Sequence, residues 1–212
     1  MLLETENDDI QTIHFFGEQM LKRNKNYKDN TTKKSIPSTF DRKTIKFTPE
    51  KIRDIILDVN NTNLDIRCEA LLYAASRRQH LVEKVIPALK EGFVVICDRF
   101  VDSSLAYQGY ARGIGIEEVY DINLFAINDC MPDATILLDI DPEVGLSRIM
   151  NNRQEEVNRL DLESIEFHKK VHRGYELIKE KYKDRFTFVD GNASPDEVFN
   201  QVYTTVKKII AK

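Results

Sequence analysis

Residues Asp98 to Gly109 read Asp-Arg-Phe-Val-Asp-Ser-Ser-Leu-Ala-Tyr-Gln-Gly and gather an Asp-Arg pair, two hydroxyls, an aromatic ring and a primary amide. The planar fork of Arg99 suits a monophosphate, which it can grip by two parallel hydrogen bonds. Asp98 can hold that arginine, accept a proton from a hydroxyl, or lie beside a magnesium ion. Ser103, Ser104 and Tyr107 add polar contacts, and the amide of Gln108 offers a donor and an acceptor side by side, as a pyrimidine edge does. An isolated Asp-Arg pair at a strand end is more often a structural salt bridge. Here the neighbours move the reading toward a ligand. Immediately upstream, Phe93-Val94-Val95-Ile96-Cys97 is an apolar run of strand length, so the cluster falls at the carboxyl end of a buried strand, where open α/β sheets bind ligands.

Two further groupings carry chemistry. In Ala70-Leu71-Leu72-Tyr73-Ala74-Ala75-Ser76-Arg77, Tyr73 and Arg77 are four apart and share one helical face. A ring and a guanidinium so placed can stack on a planar base and donate to its carbonyl oxygen. The same pair also fits a core tyrosine beside a solvated arginine. Arg148, Arg153 and Arg159 flank an acidic, polar stretch; arginines on a closing lid position a migrating phosphoryl group and exclude water. A polar linker with incidental arginines has the same spacing. Arg53 alone reads as a surface charge, and His80 and His168 read as ordinary helix residues. No pattern of metal ligands is present, so no protein metal site is expected.

The words Asp-Arg-Phe and Ser-Ser-x-Ala-Tyr-Gln-Gly resemble the signature of the bacterial thymidylate kinases, and the resemblance runs from about Pro49 to the C-terminus. It implies a P-loop kinase-like α/β fold, a parallel β-sheet flanked by helices, with a short lid at about 148–161. It implies transfer of the γ-phosphoryl group of ATP, as co-substrate with Mg2+, to dTMP to give dTDP. By the same resemblance Asp98, Arg99, Arg153 and Arg159 are catalytic. Arg53, in Glu50-Lys51-Ile52-Arg53, and Arg99 reach the dTMP phosphate, Tyr73 lies against thymine, and Arg77 and Gln108 read the base. Ser103, Ser104 and Tyr107 line the same pocket, and Arg148 stands on the ATP side. The resemblance further implies a homodimer; a cytoplasmic location is expected from the polar, acidic start Met1 to Asp9 and from the lack of any stretch of about 18 apolar residues.

One part of that pattern is missing. A kinase of this class needs Gly-x-x-x-x-Gly-Lys-Ser/Thr, whose backbone N–H groups close around the phosphates. Gly17 is the one glycine ahead of Gly92, and neither Thr12 to Lys22 nor Thr31-Thr32-Lys33-Lys34 meets the pattern. Glycine reaches backbone conformations that other residues reach only at a cost, so the loss is not a conservative change. Two explanations stay open: a shifted reading frame over the first 48 residues of an otherwise normal kinase, or a divergent chain that keeps the monophosphate pocket. The second leaves a catalytically inactive, dTMP-binding protein as the alternative function.

The elements that must position these residues follow from periodicity. Thr48-Pro49 opens a short helix with Ile52, Ile55 and Ile56 on one face. Leu64 to Leu89 reads as one long helix or two abutting ones, its core stripe formed by Leu71, Leu72, Ala75, Leu81, Val82, Val85 and Leu89. Ile116–Asn128, Pro142–Asn151, Leu162–Lys181 and Pro195–Ile210 read as helices; Phe93–Cys97, Ala134–Ile140 and Phe186–Val189 read as strands. Helices alternating with apolar strands argue for a parallel sheet with right-handed crossovers. Ile10–Arg23 is a helix or a strand plus helix, and the rest of 1–48 is polar and atypical. The 212 residues fit one domain, 42% hydrophobic and 31% charged with a net charge of −4, which gives no support for nucleic-acid or membrane-surface binding. Cys68, Cys97 and Cys130 are too widely spaced for a disulfide framework or zinc site and read as reduced and mostly buried.

Overall fold

Ile136 and Leu137 are adjacent in sequence, almost fully buried, and belong to separate apolar clusters on opposite faces of one strand. That is the period-two pleat of a strand covered on both sides. The strand is β3 (Ala134–Asp139), in a four-stranded sheet of order β2-β1-β3-β4 with β1 (Thr12–Phe16), β2 (Val95–Asp98) and β4 (Phe186–Asp190). The computed structural model describes residues 12–16, 49–152 and 159–210.

β3 and β4 pair in parallel, from Thr135 opposite Phe186 to Asp139 opposite Asp190. β1 is antiparallel to both neighbours: Ile13 stands opposite Asp98, Phe16 opposite Val95, and His14 opposite Thr135. The expected parallel direction therefore holds for β2, β3 and β4, and the first strand runs against them. Either direction completes a ladder for five residues. In this direction the fully buried His14 lies with its Nδ1 3.0 Å from the Thr135 hydroxyl and 3.4 Å from the Asp102 carboxylate.

The helices are α1 (Pro49–Leu57), α2 (Ile66–His80), α3 (Ile86–Lys90), α4 (Val101–Ser104), α5 (Ile116–Ile127), α6 (Pro142–Asn152), α7 (Ile165–Lys181) and α8 (Pro195–Ile210). α2 is capped by Asp65, whose carboxylate accepts from the Arg67 and Cys68 amides, and it runs through a π-helical turn, Leu81–Val85, into α3. α4 likewise continues as a π-helical coil, Leu105–Ala111. Ser164 caps α7 through its hydroxyl, so that helix starts after the expected Leu162. The main core packs Leu81, Val85, Leu89, Leu105, Val119, Ile127, Val171 and Ile178 on one side of the sheet, each contributing about 1.5–3 kcal/mol by leaving water. On the other side Val198, Val202, Val206 and Ile209 of α8 meet Ile136 and Val189. Gly174 lets α7 press against the π-helical coil: a Cβ there would stand 3.1 Å from the Ala106 Cα and carbonyl oxygen.

Several sequence expectations shift. Leu71 (55% exposed), Ala75 and Val82 lie on the outer face of α2 and its π-helical extension, while Leu81, Val85 and Leu89 face the core. A helix with two apolar stripes shows one period in sequence, and only packing tells them apart. Ile55 is exposed while Ile56 is buried. Of the three free cysteines Cys130 alone is buried, Cys97 is half-buried and Cys68 is exposed. No described helix is long and apolar enough to cross a membrane.

Candidate active site

β2 delivers Asp98 to the carboxyl edge of the sheet, and the chain turns there through a left-handed residue, Arg99, with φ of 54°. A side-chain-bearing residue adopts that conformation at a cost of about 1–2 kcal/mol. The turn sends the next residues straight into α4 and lays the Arg99 guanidinium over the Tyr107 ring, 5.1 Å from its centroid. Tyr73 of α2 is close by, its hydroxyl pushed up to about 12 by burial, with Arg53, Arg99 and Arg159 acting in the opposite sense and Glu69 in the same sense. Guanidinium groups from three separate chain segments thus bear electrostatically on one phenol. Arg53 of α1 makes no ion pair or hydrogen bond among the described residues. Positive charge gathered at the carboxyl end of parallel strands suits an anion.

Other expected residues are held by protein partners. Arg77 donates to the Phe100 carbonyl at 3.1 Å, to the Ser104 hydroxyl at 2.9 Å and to Asn123, and lies over the Phe100 ring. Burial lowers its pKa to about 10. Ser103 accepts from the Tyr175 hydroxyl at 2.9 Å, and burial pushes that phenol well above its ordinary value. Gln108, 2% exposed, donates its amide to Glu69 at 2.8 Å. The π-helical coil sets this layout, because its wide turn puts the Tyr107 and Gln108 side chains inward together. Gly109 passes so close to α5 that a Cβ would meet the Ile116 Cα at 3.1 Å.

On the lid side, Arg159 donates from Nε to the Ile56 carbonyl at 2.9 Å and pairs with Glu69, tying the returning chain to the end of α1. Arg148 fans over the loop after β4, donating to the carbonyls of Gly191 at 2.8 Å, Asn192 at 3.2 Å and Ala193 at 3.3 Å. Arg153 lies outside the described residues. His168 is buried, edge-on to Phe167, and burial, helped by Arg99, holds its pKa below the ordinary value against Asp161 and Glu163.

Sequence reasoning missed Glu69 and Asp102. Glu69, Tyr73 and Arg77 follow a spacing of four and share one face of α2, a signal that was there to be read. Glu69 is 1% exposed and collects Gln108, Arg159 and Arg112. Asp102, also 1% exposed, is gripped by both arms of Arg185 at 2.7 Å. That arginine holds its carboxyl below the usual range against the pull of burial. Nothing at the sequence level pairs residues 83 apart.

β1 ends at Phe16 opposite Val95, so the chain leaves that strand at the amino end of β2, away from Asp98 and Arg99. Among the described residues no glycine-rich loop and no group of three metal-ligating side chains is present.

Parallel strands between helices, with arginines crowding the carboxyl edge beside an aromatic and an amide, define the class: an α/β nucleoside monophosphate kinase. The thymidylate kinase family model matches residues 21–202, starting ahead of Pro49, where the resemblance was expected to begin. A thymidylate kinase of Clostridium novyi (strain NT) is 63% identical over 153 residues, 72% of this chain and 75% of the relative. One from Geobacillus sp. (strain WCH70) is 57% identical over 157 residues, 74% and 75% of the two chains. One from Halalkalibacterium halodurans is 58% identical over 159 residues, 75% and 76%. This chain belongs to the thymidylate kinase family.

Proposed function

We propose that the chain is a thymidylate kinase, moving the γ-phosphoryl group of ATP onto dTMP to give ADP and dTDP. The observation that carries this reading is the Arg99 guanidinium laid over the Tyr107 ring at the carboxyl end of β2, beside the buried Gln108 amide, in a chain that matches the family over residues 21–202. The acceptor phosphate is ionised at neutral pH and needs no general base; its oxygen attacks phosphorus as the bond to the ADP oxygen breaks. The protein's part is positioning and charge. Arg53 and Arg99 hold the acceptor phosphate, Asp98 orients Arg99, and the Tyr73 ring stacks on thymine. Arg77 and Gln108 address the base edge, while Ser103, Ser104 and Tyr107 shape the wall. Arg153 and Arg159 belong to a lid at about 148–161 over one catalytic domain.

ATP is the co-substrate, and Arg148 borders its side of the site through the 191–193 loop it holds. Magnesium binds characteristically through one or two carboxylates and substrate phosphates, which Asp98 with the two nucleotides would supply without a three-ligand cage. The family match favours this function over the inactive, dTMP-binding alternative. A cytoplasmic location goes with these substrates. A homodimer accords with the apolar outer stripe of Leu71, Ala75 and Val82 and with Phe125 of α5, which is 92% exposed; sedimentation of the full chain should give twice the monomer mass.

Isothermal titration of the full chain with dTMP, and separately with a non-hydrolysable ATP analogue, tests the proposal alongside a coupled assay for ADP. Both ligands bind and ADP appears with dTMP if it is right. Binding of dTMP alone returns the reading to the inactive alternative, and failure to bind dTMP removes the pocket assignment.

A further inference from the structure

We infer that Glu69 is a specificity-determining positioning residue: it fixes which end of the Gln108 amide faces the base, and so makes the pocket accept thymine and uracil and reject cytosine. The inference rests on the reading above, that Gln108 addresses the pyrimidine. An amide can be flipped, presenting either its NH2 or its carbonyl oxygen, and the two faces select different bases. Glu69 removes that freedom. It is 1% exposed, pairs with Arg159, and has Arg112 Nε at 3.5 Å. With those partners it is a carboxylate, which only accepts hydrogen bonds.

The end of Gln108 that meets it, at 2.8 Å, is therefore the nitrogen. The carbonyl oxygen is turned the other way. Thymine and uracil present N3–H, a donor, which that oxygen can accept. Cytosine presents N3 as a bare acceptor, so two lone pairs would face each other in a buried place where neither can reach water. A buried polar mismatch of this kind discriminates far more strongly than a difference in size. Three of the five Arg77 N–H groups go to Asn123, Ser104 and the Phe100 carbonyl, and a guanidinium, which only donates, can address the C4 substituent of the base but not its N3–H, so the choice at N3 falls to Gln108.

The same carboxylate ties Gln108 to the lid side of the site. Arg159 bridges Glu69 to the Ile56 carbonyl, and Arg112 reaches on to Glu163. Glu69 thus anchors the base-reading amide, the end of α1 and the chain returning from the lid by one group. Loss of the anchor as a whole lowers affinity for every nucleotide; loss of the amide's orientation changes the ratio between them. The ratio is the diagnostic quantity.

The test is titration of the full wild-type chain and the Glu69→Gln variant with dTMP, dUMP and dCMP. Wild type is expected to bind dTMP and to prefer it strongly over dCMP. In Glu69→Gln, which lets the partner amide flip, that preference should fall about tenfold or more. The dTMP to dUMP ratio should stay as it was, because those bases share N3–H. An equal loss for all three nucleotides in the variant overturns the inference while leaving the functional reading in place. Failure of wild type to bind dTMP overturns both. Should the variant not fold, NMR of the wild-type complex with dTMP decides: one Gln108 side-chain amide proton protected from exchange supports Glu69 as its acceptor, and exchange at the rate of a free amide refutes it.

Discussion

Two groups of arginines and carboxylates, one at Arg99 and one at Asp102 three positions further on, are used in opposite ways. Against the sheet, Asp102 of α4 and Arg185, the residue ahead of β4, meet in a two-armed pair, with Thr135 and His14 completing the contacts. Charge there is matched one for one. At the carboxyl edge, Tyr73 feels three guanidinium groups and a single carboxylate. Matched charge holds the fold together, and the positive charge at the edge is what the proposed acceptor phosphate would meet. The residue types are the same in both places, and the arithmetic of partners separates them.

The sharpest way to break this contrast is to remove one partner from the matched group. Arg185→Met leaves Asp102 charged, buried and without its fork, and should lower unfolding free energy by about 3–5 kcal/mol in a urea titration. The protein that remains folded should bind dTMP as before. At the surplus site the reverse holds: Arg99→Ala should weaken dTMP binding by about 100-fold, about 2.7 kcal/mol by calorimetry, with little loss of stability. If each variant lowers both quantities, the two regions are one. A smaller effect sharpens the picture through His14. Burial, the largest influence, lowers its pKa from 6.5 to about 3 while Asp102 pulls upward. The unfolded chain therefore takes up a proton that the folded chain refuses. Stability is full above about pH 6.5 and falls below it by about 1.4 kcal/mol per unit, near 2 kcal/mol by pH 5. A His14→Leu variant should flatten that part of the urea-unfolding profile.

The fold was readable wherever a period was strong. The strands at Val95–Asp98 and Ala134–Asp139 and the helix Pro195–Ile210 lie within about two residues of their expected places, because apolar runs and caps are local. The direction of β1 was not readable, since five residues carry no mark of it. The site was readable where side chains come from one segment, as with Asp98 to Gln108, or one helical face, as with Tyr73 and Arg77. It was hidden where it depends on long separations: Glu69 with Arg159, Asp102 with Arg185. Nor could the sequence tell that Arg77 and Arg148 would be occupied by hydrogen bonds to the protein itself.

The π-helical coil Leu105–Ala111 has a last consequence, for chain length. An extra residue per turn is stored there, and deleting one would let the coil rewind as an ordinary α-helix. The set of side chains turned inward within the coil would change, carrying Gly109 off the shoulder of Ile116 and Ala106 or Tyr110 out of the notch left by Gly174. In that stretch an in-frame deletion does more damage than any single exchange of residues, so the length of the segment is as much a part of its message as its letters.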